Sequence, residues 1–127
     1  MPRVDRSFFL DDAVTVAKLL PGMDIVVNTG SRPRHFMITE TEAYLGDDDR
    51  ACHASKGRTA RTEPMYLEGG HLYIYFVYGM HWMMNIVTGP AAYPQAVLIR
   101  GAVPYTGPGR LTRGLGINGS FNGEDLT

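Results

Sequence analysis

The stretch Phe36-Met37-Ile38-Thr39-Glu40-Thr41-Glu42-Ala43-Tyr44 is rich in β-favouring residues, and at the two-residue period of a strand it sets two carboxylates in line with Phe36 and Ile38. Successive strand side chains point to opposite faces, so counting by twos places Phe36, Ile38, Glu40, Glu42 and Tyr44 on one side. A face that starts with hydrocarbons and ends with two acids and a tyrosine is either a strand end at the rim of a pocket or a costly burial of charge. A glutamate taken out of water resists ionisation and is poised for proton transfer or for stabilising a cation. Glu42 is therefore the first candidate functional residue.

Working outward, Asp24 to Asn28, the turn-forming Thr29-Gly30-Ser31 and Arg34 to Tyr44 predict a β-hairpin whose second strand carries the acids. Upstream, Ser7 suits an N-cap, and Leu10, Ala13, Val14, Ala17 and Leu20 recur at helical spacing until Pro21-Gly22, which predicts one amphipathic helix. Downstream, Gly46 to Thr62 has no usable period and predicts a long loop. Gly69-Gly70 then opens a strand from His71 to Tyr78, Gly79-Met80 turns the chain, and Trp82 to Thr88 completes a second hairpin. Gln95 to Val103 is a further strand with Ala96, Leu98 and Arg100 on one face, and Pro108 begins a short helix through Leu115. Asn118 to Gly123 is turn-rich and is assigned no element. The expectation is an α+β fold: a single domain over residues 1–127, mostly antiparallel sheet with a few flanking helices.

A formal net charge of −1 supplies no global field for an anionic polymer, so any attraction to nucleic acid has to be local. Lys56, Arg58 and Arg61 form one such local cluster behind the acidic run Asp47-Asp48-Asp49; the same stretch also reads as an ordinary solvated loop. No apolar run is long enough to cross a bilayer, and the start Met1-Pro2-Arg3-Val4-Asp5 does not read as a secretory signal, so no membrane partner is expected. The single cysteine, Cys52, excludes an internal disulfide and fits a reducing compartment. His35, Glu40, Glu42, His53, His71 and His81 carry metal-ligating atoms but at no recognised spacing, and there is no glycine-rich phosphate fingerprint or nucleophile elbow. Neither metal nor cofactor is expected.

Tyr73, Tyr75 and Val77 lie on one face of their strand and Ile74, Phe76 and Tyr78 on the other, so Tyr75 and Tyr78 point in different directions. They read as a stacking platform and a projecting wedge, or as a half-buried sheet that keeps its hydroxyls wet. Asn85 and Arg100 are polar residues in apolar strands that either line a cavity or satisfy buried backbone groups. A buried arginine calls for a carboxylate, and Glu42 is the candidate partner. His53 is either a ligand contact or a plain loop residue.

Taken together, Glu40-Thr41-Glu42-Ala43-Tyr44-Leu45-Gly46, His53, Gly57-Arg58-Thr59-Ala60-Arg61-Thr62, Leu72 to His81, Asn85, Ala96 to Arg100 and Gly107-Pro108-Gly109-Arg110-Leu111-Thr112 closely resemble the alkyladenine (3-methyladenine) DNA glycosylase family in order and spacing. The resemblance covers nearly the whole chain. It implies a monofunctional enzyme of base excision repair that removes alkylated or deaminated purines from double-stranded DNA as a monomer, without metal or cofactor. Glu42 matches the general base that activates the attacking water, and Arg100 a residue that positions it. The flipped base would lie between Tyr44 on one side and His53 with Tyr75 on the other, above Asn85, which would crowd the amino group of guanine. Tyr78 matches the wedge that fills the vacated helix, while Met80, His81, Arg58 and Arg61 match the DNA-facing surface. The implied location is cytoplasmic, against the nucleoid, in a prokaryote, or nuclear in a eukaryote.

Relative to that family the chain is shorter after Thr127 and between Tyr105 and Thr106, from which an exposed sheet edge is expected. Two other classes stay open: a non-catalytic module that binds damaged DNA on the same scaffold, and a metal-dependent small hydrolase.

Overall fold

A computed structural model describes residues 3–28, 30–45 and 62–127. The chain runs through helices α1 (Arg6–Phe9) and α2 (Ala13–Leu19), strands β1 (Asp24–Val27) and β2 (Arg34–Tyr44), a 3-10 turn at Glu63–Tyr66, strands β3 (Leu72–Val77), β4 (His81–Val87), β5 (Ala96–Ala102) and β6 (Tyr105–Thr106), helix α3 (Pro108–Leu115) and a 3-10 turn at Gly119–Phe121. All pairings are antiparallel, in the order β1-β2-β5-β4-β3, with β6 also on β5. The α+β class read from the sequence is the observed one.

The helix predicted as one piece from Ser7 to Leu20 is two. Asp12 is extended (φ −69°, ψ 160°) and caps α2, accepting hydrogen bonds from the Thr15 N–H at 2.8 Å and the Thr15 hydroxyl at 3.0 Å. A short carboxylate that satisfies orphan N–H groups favours starting a helix over continuing one, so Asp11-Asp12 splits the apolar repeat. The Thr15 contacts hold the Asp12 carboxyl below its usual value of 3.8. At the other end of the chain, the segment left without an element contains the short 3-10 turn capped by Asn118.

The expected common face of Phe36, Ile38, Glu40, Glu42 and Tyr44 does not exist. The β2–β5 register runs Ile38 to Ala102, Glu40 to Gly101 and Thr41 to Ile99, so Thr39 is an extra residue on β2 and Arg100 an extra residue on β5. Each bulge shifts the alternation by one and hands the next side chain to the other face. Phe36 and Ile38 point into the main core, and past the bulges Thr41 and Ala43 take over that side. The Thr41 hydroxyl donates to the Ala17 carbonyl of α2 at 2.6 Å, which fixes the switch. Glu42 and Tyr44 are thereby turned to the opposite face.

The main core lies between sheet and helices. Phe9, Val16, Ala17 and Leu20 from one side and Leu111, Leu115 and Ile117 from the other close over Ile74, Met84, Ile86, Val97 and Ile99. A second, smaller cluster of Met65, Tyr73, Val87 and Ala96 forms on the far side, with Tyr44, Tyr66 and Tyr75 packed against it. The β3 edge of the sheet is covered along Gly70 to Ile74 by the C-terminal segment. The Leu72 N–H donates to the Glu124 carbonyl, the Gly123 N–H to the Leu72 carbonyl and the Leu126 N–H to the Gly70 carbonyl, all at 2.8 Å, while the Ile74 N–H donates to Asn122 Oδ1 at 2.7 Å.

Candidate active site

The register sets Tyr73, Asn85, Leu98 and Glu42 side by side across β3, β4, β5 and β2, because antiparallel partners share a face. Tyr44, Ala96 and Val87 form the next row. This is the face of the second cluster, and the strand bulges deliver both Glu42 and Tyr44 to it. Bulges commonly re-aim side chains beside functional sites, and here the extra residue on β5 is Arg100 itself.

Glu42 is held at both oxygens. Arg100 Nη1 donates to Oε2 at 2.9 Å, and the Tyr44 hydroxyl donates to Oε1 at 3.0 Å. The Glu42 and Arg100 side chains are 45% and 43% exposed, so the pair sits at a rim and the burial alternative for Glu42 is not the one observed. The pairing of Arg100 with Glu42 anticipated from the sequence is present. Arg100 itself is at the surface, since the carboxylate it faces is on the sheet's face and not beneath it.

Burial pushes the Tyr44 phenol up to about 12, and the hydrogen bond to Glu42 and its negative charge add to the rise. Tyr75 raises it further, whereas Arg100 acts in the opposite sense. The phenol therefore remains a proton donor at neutral pH. Tyr75 packs against the same cluster, its ring centroid 5.3 Å from that of Tyr73 at an interplanar angle of 40°. Asn85 is 3% exposed and its Nδ2 donates to the Tyr73 carbonyl at 3.3 Å. A buried polar group on the row that leads to Glu42 is suited to the floor of a polar-lined cleft.

The β3–β4 turn projects away from both clusters. Tyr78 (φ +55°) and Gly79 (φ +63°) both take left-handed conformations, and the Met80 N–H donates to the Val77 carbonyl at 3.0 Å. Tyr78 is 89% and Met80 64% exposed, so two large apolar side chains stand in solvent at one tip. His81 is half-buried against α3. A Cβ on Gly109 would lie 2.6 Å from its Nδ1, so only glycine allows that approach. His81, Met83, Thr106, Pro108 and Arg110 line an open depression there. His53, Arg58 and Arg61 lie outside the described residues.

Two features escaped the sequence reading. The Tyr44 hydroxyl on Glu42 was signalled only by their i, i+2 spacing on a strand, which sets any such pair on one face. Arg110 and the start of α3 join His81 because β6 turns the chain back along β5, a two-residue strand too short to register as a pattern. Among the described residues no three His, Cys, Asp or Glu side chains are grouped to hold a metal ion.

A half-exposed carboxylate with both oxygens fixed, a guanidinium beside it and aromatic rings alongside can take a proton from water and stabilise positive charge in a flat ligand's neighbourhood. Residues 7–106 match the family model described as methylpurine-DNA glycosylase. A protein of Borreliella afzelii named "Putative 3-methyladenine DNA glycosylase" is 47% identical over 135 residues, spanning 97% of this chain and 73% of its own. Proteins of the same printed name from Chlorobium phaeobacteroides and Myxococcus xanthus are each 42% identical, spanning 100% and 95% of this chain and 74% and 67% of their own.

Proposed function

Because the chain belongs to the methylpurine-DNA glycosylase family, we propose that it is a monofunctional DNA glycosylase that hydrolyses the N-glycosidic bond of alkylated or deaminated purines, the class of 3-methyladenine, 7-methylguanine, hypoxanthine and ethenoadenine. The observation that supports this best is the Glu42 carboxylate, fixed by Arg100 and set beside the Tyr44 ring on a row that leads over Asn85.

The reaction needs the purine out of the stack, since neither face of its glycosidic bond is reachable inside a duplex. Tyr78, at the exposed turn, fills the hole left behind, while the purine enters between Tyr44 and Tyr75, with His53 completing the sandwich. Electron-rich rings favour the positive or polarised bases that alkylation creates. Glu42 accepts a proton from water as the water oxygen bonds to C1′, and the electrons of the glycosidic bond leave with the purine. Its charge also offsets that of the oxocarbenium-like sugar. A base alkylated at N3 or N7 departs neutral and asks little of an acid, whereas an uncharged lesion such as hypoxanthine or ethenoadenine takes up a proton as it departs.

Arg100 keeps the carboxylate turned toward the water. Water, and not the amine of Lys18 or Lys56, is the nucleophile in this reading, so no Schiff base is expected and the strand stays intact at the abasic site. Met80 and His81, with Arg58 and Arg61, contact the DNA backbone and groove, and the protein acts as a monomer on double-stranded DNA.

Incubation with duplexes carrying a single ethenoadenine or hypoxanthine tests the reading. Release of free base, with strand scission appearing only after alkali, is the expected result. Tight lesion binding with no base released would identify a non-catalytic damage-binding module instead.

A further inference from the structure

We propose that Tyr44 is a positioning residue for Glu42 through its hydroxyl, in addition to offering its ring to the flipped base. The inference rests on the glycosylase reading above and adds to it a second, separable task for one side chain.

The Glu42 carboxylate has two oxygens, and each accepts one described donor: Arg100 on Oε2 at 2.9 Å and the Tyr44 hydroxyl on Oε1 at 3.0 Å. One donor leaves a carboxylate free to turn about its terminal bond, whereas two donors from different strands define its plane. Arg100 and Tyr44 come from β5 and β2, which at this point are paired on either side of the bulges. The bond also acts in the other direction. Held at its hydroxyl, the Tyr44 ring is fixed in tilt, and its body packs against the cluster of Met65, Tyr73, Val87 and Ala96. The stacking surface and the base are therefore set relative to each other before substrate arrives, which is what a short-lived, charge-separated transition state rewards. Being pushed up to about 12, the phenol stays protonated and remains a donor at neutral pH.

Phenylalanine separates the two tasks, because it keeps the ring and deletes the hydroxyl. Single-turnover excision of ethenoadenine and lesion-duplex affinity are measured for wild type, Tyr44→Phe and Tyr44→Ala. Tyr44→Phe is expected to lose about tenfold in excision rate, the scale of one hydrogen bond to a charged group, and to keep lesion affinity within about twofold. Tyr44→Ala loses both. Wild-type excision by Tyr44→Phe would overturn the proposal, as would an equal loss of rate and affinity.

A second measurement needs no turnover and so distinguishes failure of this inference from failure of the glycosylase reading. Unfolding midpoints in urea are compared for wild type, Tyr44→Phe, Glu42→Ala and the double variant. Coupling across the hydrogen bond makes the double variant less destabilised than the sum of the singles, whereas additive shifts would show that the hydroxyl and carboxylate do not act on each other. If the wild type releases no base yet the shifts are non-additive, the function is wrong and the pairing stands.

Discussion

Glu42 illustrates how one side chain's role depends on what flanks it. Its neighbours on the strand are ordinary, and its spacing alone placed it with Phe36 and Ile38. The structure gives it Arg100 and Tyr44 as donors and leaves it at a rim. Tyr78 is the opposite case, since its exposure follows directly from standing beside a glycine at a hairpin tip. A tyrosine at φ +55° holds a conformation that costs a residue bearing a Cβ about 1–2 kcal/mol. Tyr78→Gly relieves that cost while loosening the unfolded chain, so thermal stability is expected to stay within about 1 kcal/mol of wild type. Lesion-duplex affinity, read by fluorescence anisotropy, should fall about tenfold, the scale of one lost stacking contact. Unchanged affinity would remove the wedge from the account.

Most elements were legible in the sequence because their signals are local. The β3–β4 hairpin announces itself by aromatic and β-branched residues around Tyr78-Gly79, and α3 by Pro108 at its first turn. Three things were not legible. The break at Asp12 needed a capping residue to outweigh an unbroken apolar repeat. The bulges at Thr39 and Arg100 depend on how β2 meets β5, a pairing of residues about sixty apart, and no single-strand pattern carries that information. Because the bulges decide which face Glu42 occupies, the pairing of Glu42 with Arg100 was legible in the sequence while the face that Glu42 shares was misassigned. Strand β6 is the third, and it matters through Tyr105. A Cβ on Gly114 would lie 2.2 Å from Tyr105 Cζ, so α3 seats on the ring only because that position is glycine. Gly114→Ala is expected to destabilise by about 1–3 kcal/mol, measured as a lower urea midpoint, as overpacking forces helix and ring apart. A midpoint equal to wild type would show that α3 is not seated against Tyr105.

Across the whole molecule, the two ends of the chain are tied together over the edge of β3. Arg6 Nη2 donates to Asp125 Oδ2 at 2.6 Å, Arg6 Nη1 donates to the Gly69 carbonyl at 2.7 Å, and the Thr127 N–H and hydroxyl donate to Asp125 Oδ1 at 2.9 and 2.8 Å. The Thr127 bonds, followed by Arg6, hold the Asp125 carboxyl well below its usual value of 3.8. A carboxyl depressed in the folded state contributes stability that is present above its unfolded pKa and is lost as pH falls through the folded value. Wild type should therefore exceed Asp125→Asn at pH 7, by no more than about 1 kcal/mol because the group is largely exposed. The gap should narrow as pH drops below about 4, and urea unfolding of both proteins at pH 7 and pH 3 reads it. A gap that widens in acid would contradict the sign. This clamp covers β3 on the side away from β4, the strand that carries Asn85.

In the proposed reaction the Glu42 carboxylate activates the water that displaces the purine. That role is tested most directly by single-turnover excision of ethenoadenine from a duplex by wild type and Glu42→Gln, with lesion affinity measured on the same preparations. The rate should fall by about a hundredfold or more in Glu42→Gln, with lesion affinity retained. A Glu42→Gln protein that excises the base as fast as wild type would contradict it.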